Sequence, residues 1–435
     1  MTTGVKIAVI GAGSTYTPEL IDGLIAHRDR IHVDTLALMD LYRWRLEIVG
    51  GMAQRMMARH GYTPRVLLTT NRAEALEDAD FVITQIRVGG MAARLIDETI
   101  PPRYGVIGQE TVGPGGIAKA LRTVPVMLEI AHDVERYAPQ AWLINFTNPS
   151  GLITEAIHSH SNAHVIGLCN LPTNMRAEIA AWLGAPPESV TLDYFGLNHL
   201  GFVRRVWVDG QDRTEDALNA VIAQAAQEDD PLFPPPLLET LGLIPGYYLS
   251  FYYASDRILA EQRQAPQTRA ERAREVEEEL LKLYADPSVD EKPALLAERG
   301  GARYSTAAVS LIADIVADSG QTHIVNVPNQ NAISCMDADA IVEIPCRVDA
   351  HGAHALPLEE PPRQVRGLIA AVKAAEQLTI QAAVTGDRHV ALQALLAHPL
   401  VPSFAVAQSL LAALLAEHRD YLPQFDLFAT PEETP

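Results

Sequence analysis

The chain has 435 residues, 48% hydrophobic and 20% charged, with a formal net charge of −20 at pH 7. That length and composition predict a globular protein with a sizeable core, built as two or three domains or one large two-lobed unit. The acidic balance argues against nucleic acid or an anionic membrane surface as partner, because both reward basic surfaces. Cys169, Cys335 and Cys346 are the only cysteines, too few for a disulfide framework. No apolar run approaches the roughly 18 residues of a membrane span, and "MTTGVKIAVIGAG" lacks the parts of a secretory signal. The expected location is the cytoplasm.

Apolar β-rich runs alternate with helical patterns through the first half. Strands are predicted at Lys6–Ile10, Thr35–Met39, Val66–Thr70, Phe81–Ile86, Trp142–Phe146 and His164–Leu168, with helices at Thr17–His27, Trp44–His60, Gly116–Tyr137 and Gly151–His160. This alternation predicts an α/β domain over residues 1–171, a Rossmann-like, doubly wound parallel sheet. Beyond Pro172 the rhythm changes. "SVTLDYFGLNHLGFVRRVWVDG" has strand character with a turn at Asp209-Gly210, which suggests antiparallel pairing, and "DDPLFPPP" is a loop. Gln267–Tyr284 and Tyr304–Asp318 read as helices, "HIVNVPNQ" and "AIVEIPCRV" as strands, and the C-terminal segment as Ala/Leu-rich helices. Residues 172–435 are expected to form a mixed α+β lobe packed on the first half.

The first strand runs into "GAGSTYTPEL", a glycine turn ahead of a helix. Gly11 and Gly13 supply the first two glycines of the dinucleotide fingerprint, while Tyr16 stands at the third. Two such glycines allow a tight turn and close backbone approach to a pyrophosphate at a helix N-terminus, with Ser14 and Thr15 in the same loop. Asp40 ends the second strand in "TLALMDL". An acid there accepts hydrogen bonds from a ribose hydroxyl and repels a 2′-phosphate, which favours NAD over NADP.

Parallel strands of such sheets deliver functional side chains at their carboxyl ends, and the sixth ends in "VIGLCN". Cys169 is there either as buried filler or as a soft metal ligand, with His199 of "YFGLNHLGF" as a second donor. One Cys and one His fall short of a closed four-ligand zinc site and would describe an open catalytic site completed by substrate oxygens. Asn148, in "NFTNPSG", is a plain turn residue before Pro149 or a sugar-hydroxyl contact beside a nicotinamide. Arg87 and Arg94 follow another strand end and suit an anion clamp. "IPGYYLSFYY" gathers Tyr247, Tyr248, Tyr252 and Tyr253; a phenol acting as base needs a nearby cation or metal to ionise near neutrality.

Taken in order along almost the whole chain, "GAGSTYTPEL", "YGVIGQETVGPGG", "NFTNPSG", "GLCNLP", "GLNHL", "GGARYSTAA" and "EIPCRV" resemble blocks of glycoside hydrolase family 4, the NAD- and metal-dependent glycosidases. The resemblance implies an overall fold like that of lactate and malate dehydrogenases, with NAD and a divalent ion, usually Mn²⁺, as cofactors. At matching positions it implies that Cys169 and His199 bind the ion and that Tyr248 is the base, with Tyr247 as the rival register. Arg94 and Arg269 match arginines that contact a substrate 6-phosphate, Asn148 matches a sugar-binding asparagine, and Arg87 and Glu110 lie in blocks lining the same pocket. Asn170, also on the substrate side, stands where α-acting members carry an aspartate and so points to the β branch. "IRVGG" replaces a more usual Arg-Pro-Gly, and Arg303 fills a variable place in "GGARYS".

The implied activity is hydrolysis of 6-phospho-β-glucosides by NAD-dependent oxidation at C3, deprotonation at C2, elimination at C1, water addition and re-reduction. Locally gathered arginines would reconcile an anionic substrate with an acidic protein. A homodimer or homotetramer is the family expectation. Other readings remain: a family 4 glycosidase acting on unphosphorylated sugars, a 2-hydroxy-acid NAD dehydrogenase sharing the N-terminal sheet, or a non-catalytic NAD sensor.

Overall fold

The strand ahead of the glycine turn, β1 (Val5–Ile10), lies within a nine-stranded sheet in the computed structural model, which describes residues 4–299 and 304–426; Arg303 lies outside them. With β2 (Val33–Met39), β3 (Arg65–Thr69), β4 (Phe81–Thr84), β5 (Trp142–Asn145) and β6 (His164–Gly167) it forms a parallel block ordered 3-2-1-4-5-6. This is the expected doubly wound order, whose switch point, the place for a ligand cleft, falls between β1 and β4. The strands are apolar throughout because both faces are covered. In β1, Ile7 and Val9 join one core cluster while Ala8 and Ile10 join the other. Helices α1 (Thr17–Ala26) and α2 (Arg43–Arg59) cover the first face; α3 (Arg72–Leu76), α4 (Gly90–Arg103), α5 (Gly113–Tyr137) and α6 (Ser150–His160) contribute to the second.

The predicted strands and helices of this half are present, with ends shifted by a few residues. Helices α3, α4 and α7 (Leu171–Trp182) go beyond the expectation. In α4 the apolar period is weak and Pro101 and Pro102 sit in its final turn, where prolines read as helix breakers. Helix α5 starts three residues before the predicted Gly116 because Pro114 suits a first turn, where its missing N–H costs nothing.

In the second half, β7 (Val190–Leu197) and β8 (Leu200–Val208) form a long hairpin, joined by β9 (Gln211–Asp212) and β10 (Ile244–Pro245) in a small second sheet. The turn at Asp209-Gly210 exists, but it leads only into the two-residue β9; the main reversal is at Asn198-His199. His199 is therefore not inside an apolar strand, as expected, but in a two-residue turn with φ 62°. The unbroken apolar context of "YFGLNHLGF" hides the reversal.

"HIVNVPNQ" and "AIVEIPCRV" are strands, β11 (Gln321–Pro328) and β12 (Ile341–Asp349), followed by β13 (Gly352–Ala355). They do not form a separate layer. All three extend the first sheet antiparallel beyond β6, with Asn326 pairing with Gly167, so an edge that would otherwise stay open is covered. The sheet thus crosses the boundary expected between residues 171 and 172. The charged helix Arg269–Ala285 begins at a capping box between Thr268 and Glu271. Among the described residues no helix is long and apolar enough to cross a membrane.

A fully buried ion cluster ties the C-terminal helices to α4. Arg122 grips Asp97 through two bonds of 2.9 and 2.5 Å, and His418 Nε2 lies 2.9 Å from Asp97 Oδ1. Removing the carboxylate leaves a guanidinium buried without its partner, which costs about 3–5 kcal/mol. Asp97→Ala is accordingly expected to lower the urea midpoint of unfolding sharply; an unchanged midpoint would show that the cluster adds nothing to stability.

Candidate active site

A cleft of about 1820 Å³ is lined by the turns that follow β1, β2 and β4 and by residues of the second half. Gly11, Gly13, Ser14 and Asp40 line one end. Gly11 adopts φ 92°, and a Cβ on Gly13 would fall 2.7 Å from Asp40 Cγ, so both positions require glycine. Asp40 Oδ2 accepts the Gly13 N–H at 2.8 Å and Oδ1 accepts the Tyr42 N–H at 3.0 Å. The carboxylate therefore shapes the turn first, and each oxygen keeps a lone pair for a ribose hydroxyl. Thr15 stands apart from the other predicted turn residues. Its side chain is fully buried off the cleft wall, and its carbonyl accepts the Tyr284 hydroxyl at 2.8 Å.

Further along, three cations surround one carboxylate. Glu110 is paired with Arg87, with Lys119 at 2.8 Å and with Arg94 at 3.2 Å, while Arg94 also holds Glu98 at 2.7 Å. Burial alone would raise the Glu110 pKa, but Arg87, Lys119 and Arg94 together hold it well below the usual carboxylate range. Burial brings Lys119 down to about 7 against the attraction of Glu110. Arg299 faces the same group: burial lowers its pKa against the opposing Glu277, and the like charges of Arg87 and Arg94 lower it further. Arg269 opens its helix at the cleft wall and donates from Nη2 to the Glu298 carbonyl at 2.7 Å. Such a gathering of guanidinium groups suits a phosphate.

Lys119 and Arg299 were not among the residues expected at this site. A lysine inside the small-residue run "GGIAKAL" was the available signal, since a buried helix face has no use for an ammonium without a partner.

The predicted ligand pair is buried beside Tyr248, which lines the cleft; neither Cys169 nor His199 lines it directly. Cys169, just past β6, is 2% exposed and His199 4%. Burial, then the charge of Lys119, lowers the His199 imidazole to about 3 against the pull of Glu110, so at neutral pH it holds the neutral, metal-binding form. Its Nδ1 is buried and has no hydrogen-bond partner. An orphaned neutral imidazole nitrogen and a buried thiol are donors that fit a divalent transition ion. Among the described residues no group of three or more His, Cys, Asp or Glu is placed to hold an ion.

The tyrosines separate cleanly. Tyr248 stacks on His199, ring centroids 3.7 Å apart and planes at 16°, and packs against the core cluster that contains Cys169. Tyr247 is 54% exposed and meets Tyr248 edge-on. Tyr252 and Tyr253 do not line the cleft. Burial raises the Tyr248 pKa, followed by the nearby Cys169 and Glu110, with Arg94 opposing. Asn148 lines the cleft with its buried Oδ1 lacking a partner, and Asn170 lines it at the head of α7.

Residues 6–185 match the model of the family 4 glycosyl hydrolases, and residues 194–401 match that of their C-terminal domain. The chain belongs to glycosyl hydrolase family 4. This family 4 chain is 43% identical over 442 residues to a probable 6-phospho-β-glucosidase of Bacillus subtilis, covering 98% of its own length and 99% of the relative's. It matches the structure of the 6-phospho-β-glucosidase of Thermotoga maritima with manganese, NAD⁺ and glucose 6-phosphate at a TM-score of 0.90 and 38% identity, over 96% and 99% of the two chains. A malate dehydrogenase of Plasmodium falciparum, 15% identical, matches at a TM-score of 0.54 over 87% of this chain and 98% of its own. That last likeness is one of fold, as expected. Family 4 membership makes the protein a glycosidase, and the 2-hydroxy-acid dehydrogenase reading falls away.

Proposed function

We propose that this family 4 enzyme hydrolyses 6-phospho-β-glucosides to glucose 6-phosphate and the aglycone, with NAD and Mn²⁺ or another divalent transition ion as cofactors. The observation that carries this reading is one cleft that joins a glycine-turn end, a cluster of guanidinium groups and Tyr248, whose ring stacks on the buried His199. The names of the relatives support a phosphorylated β-glucoside over an unphosphorylated sugar, and Asn170 in place of an aspartate agrees.

When bound, NAD would supply a reversible hydride acceptor for C3 of the sugar, and a divalent ion would supply Lewis acidity towards the neighbouring oxygens. The chain supplies the rest. Gly11 and Gly13 admit the pyrophosphate, Ser14 borders it, and Asp40 takes a ribose hydroxyl. Arg94 and Arg269, joined by Arg299, hold the 6-phosphate and fix one end of the sugar. Glu110 sets the aim of Arg87 and Arg94, and Asn148 Oδ1 accepts a sugar hydroxyl on the nicotinamide side. Cys169 and His199, whose Nδ1 has no hydrogen-bond partner, would hold the ion. Tyr248 Oη takes the proton from C2, and the aglycone leaves C1 beside Asn170, which offers no acid of its own. We further infer a cytoplasmic homodimer or homotetramer, with residues 1–171 as the NAD-binding half and 172–435 as the substrate, metal and oligomerisation half.

Two charge-assisted contacts to the phosphate, at about 1.5–3 kcal/mol each, predict a preference of about 100-fold or more in kcat/KM for p-nitrophenyl β-glucoside 6-phosphate over the unphosphorylated glucoside. Equal rates would remove the phosphate from the reading, and preference for the α-linked phosphate would reverse the anomer.

A further inference from the structure

Bonded to Asn198, the neighbour of His199 in the hairpin turn, is a carboxylate that none of the steps above uses. Glu343, on β12 at the start of "EIPCRV", is fully buried, and its three hydrogen-bond donors are all neutral. Tyr194 Oη donates to Oε2 at 2.7 Å, while Asn198 Nδ2 and Asn326 Nδ2 donate to Oε1 at 3.1 and 3.0 Å. A carboxylate buried without a cation is costly relative to an apolar residue of the same size. Its partners show what it does there.

Asn198 precedes His199 in the hairpin turn, and its Oδ1 accepts the Gly151 N–H at 3.3 Å, at the start of α6 just past Asn148. Asn326 also donates to the Gly167 carbonyl at 3.4 Å, two residues before Cys169. One side chain thus ties together the strand end that carries Cys169, the turn that carries His199 and the helix start beside Asn148. Glycines clear the space for it. A Cβ on Gly201 would fall 1.9 Å from Tyr194 Oη, one on Gly151 2.8 Å from Asn198 Cβ, and one on Gly167 2.8 Å from Asn326 Cβ.

We propose that Glu343 is the positioning residue of the metal-binding pair, holding Cys169 and His199 in register from behind through Asn326, Asn198 and Tyr194. The proposal rests on the reading of Cys169 and His199 as the ligands. Groups that orient metal ligands typically cost about 10–100-fold in metal affinity when changed. The test is a Mn²⁺ titration of the NAD-loaded enzyme, followed by the electron paramagnetic resonance of free Mn²⁺, with NAD affinity measured alongside. Glu343→Gln keeps the volume and one acceptor; it is expected to weaken Mn²⁺ about tenfold or more while NAD affinity stays within twofold. Tyr194→Phe, which removes one bond and no charge, is expected to give a smaller loss in the same direction and decides the matter if Glu343→Gln does not fold. Mn²⁺ affinity within twofold of the parent in either folded variant, or parallel losses of Mn²⁺ and NAD, would overturn the proposal. A His199→Ala control separates the premise: Mn²⁺ binding unchanged there would mean that the pair is not the metal site, and the proposal would fall with it.

Discussion

Tyr248→Phe is expected to lower kcat about 10³-fold, whereas Tyr247→Phe leaves it within about threefold, since a positioned general base contributes about 10²–10⁴. The two neighbours differ in what they touch. Tyr248 lies flat on the His199 ring at 3.7 Å, while Tyr247 is 54% exposed and only edges against Tyr248. Phenylalanine keeps that stack, so the Tyr248→Phe enzyme should hold Mn²⁺ and NAD as the parent does and lose only the hydroxyl that takes the proton. Burial keeps this phenol protonated in the bare protein, with Cys169 and Glu110 adding to the effect. A bound cation is what would make it a base near neutrality. Steady-state kinetics on both variants decide the register, and the opposite pattern would hand the role to Tyr247.

Loss of a metal ligand should be as severe. In the proposed site, Cys169→Ala or His199→Ala removes one of the two protein donors. Activity is expected to fall by about 10³-fold or more at micromolar Mn²⁺, as a Lewis acid worth several kcal/mol is withdrawn, and to recover in part at millimolar Mn²⁺. The pH dependence of Mn²⁺ affinity follows from which donor must lose a proton. His199 is lowered to about 3 by burial and by Lys119, so it is already neutral across the weakly acidic range. Affinity should therefore rise with pH only as the thiol deprotonates, with no step where an ordinary imidazole titrates. Full activity in the Cys169→Ala enzyme at low Mn²⁺ would refute the ligand assignment.

The parallel part of the sheet was legible in the sequence because its physics is local. Parallel strands buried on both faces must be apolar runs, and a turn packed this tightly against Gln85 and Asp40 must be glycine at Gly11 and Gly13. The continuation of the sheet was not legible, since Asn326 and Gly167 pair across 159 positions and no local pattern records that. In the sequence His199 reads as part of a strand because the residues of "YFGLNHLGF" around it are mostly apolar; Gly196 and Gly201, which pair across the turn, are the signal for a hairpin. At the site, the resemblance named Arg87, Arg94 and Glu110 singly. What it did not reveal is that the arginines and Lys119 share one carboxylate, or that Thr15 turns away from the cleft. Those are consequences of side-chain direction, which spacing does not carry.

The most direct test is cleavage of p-nitrophenyl β-glucoside 6-phosphate by enzyme stripped of NAD and metal, with each restored singly and then together, in deuterated water. The expected result is nitrophenol release only when both are present, no net NADH, and deuterium at C2 of the glucose 6-phosphate formed, because Tyr248 exchanges that proton with solvent. Cleavage without NAD, or product with no deuterium at C2, would contradict the redox-elimination route.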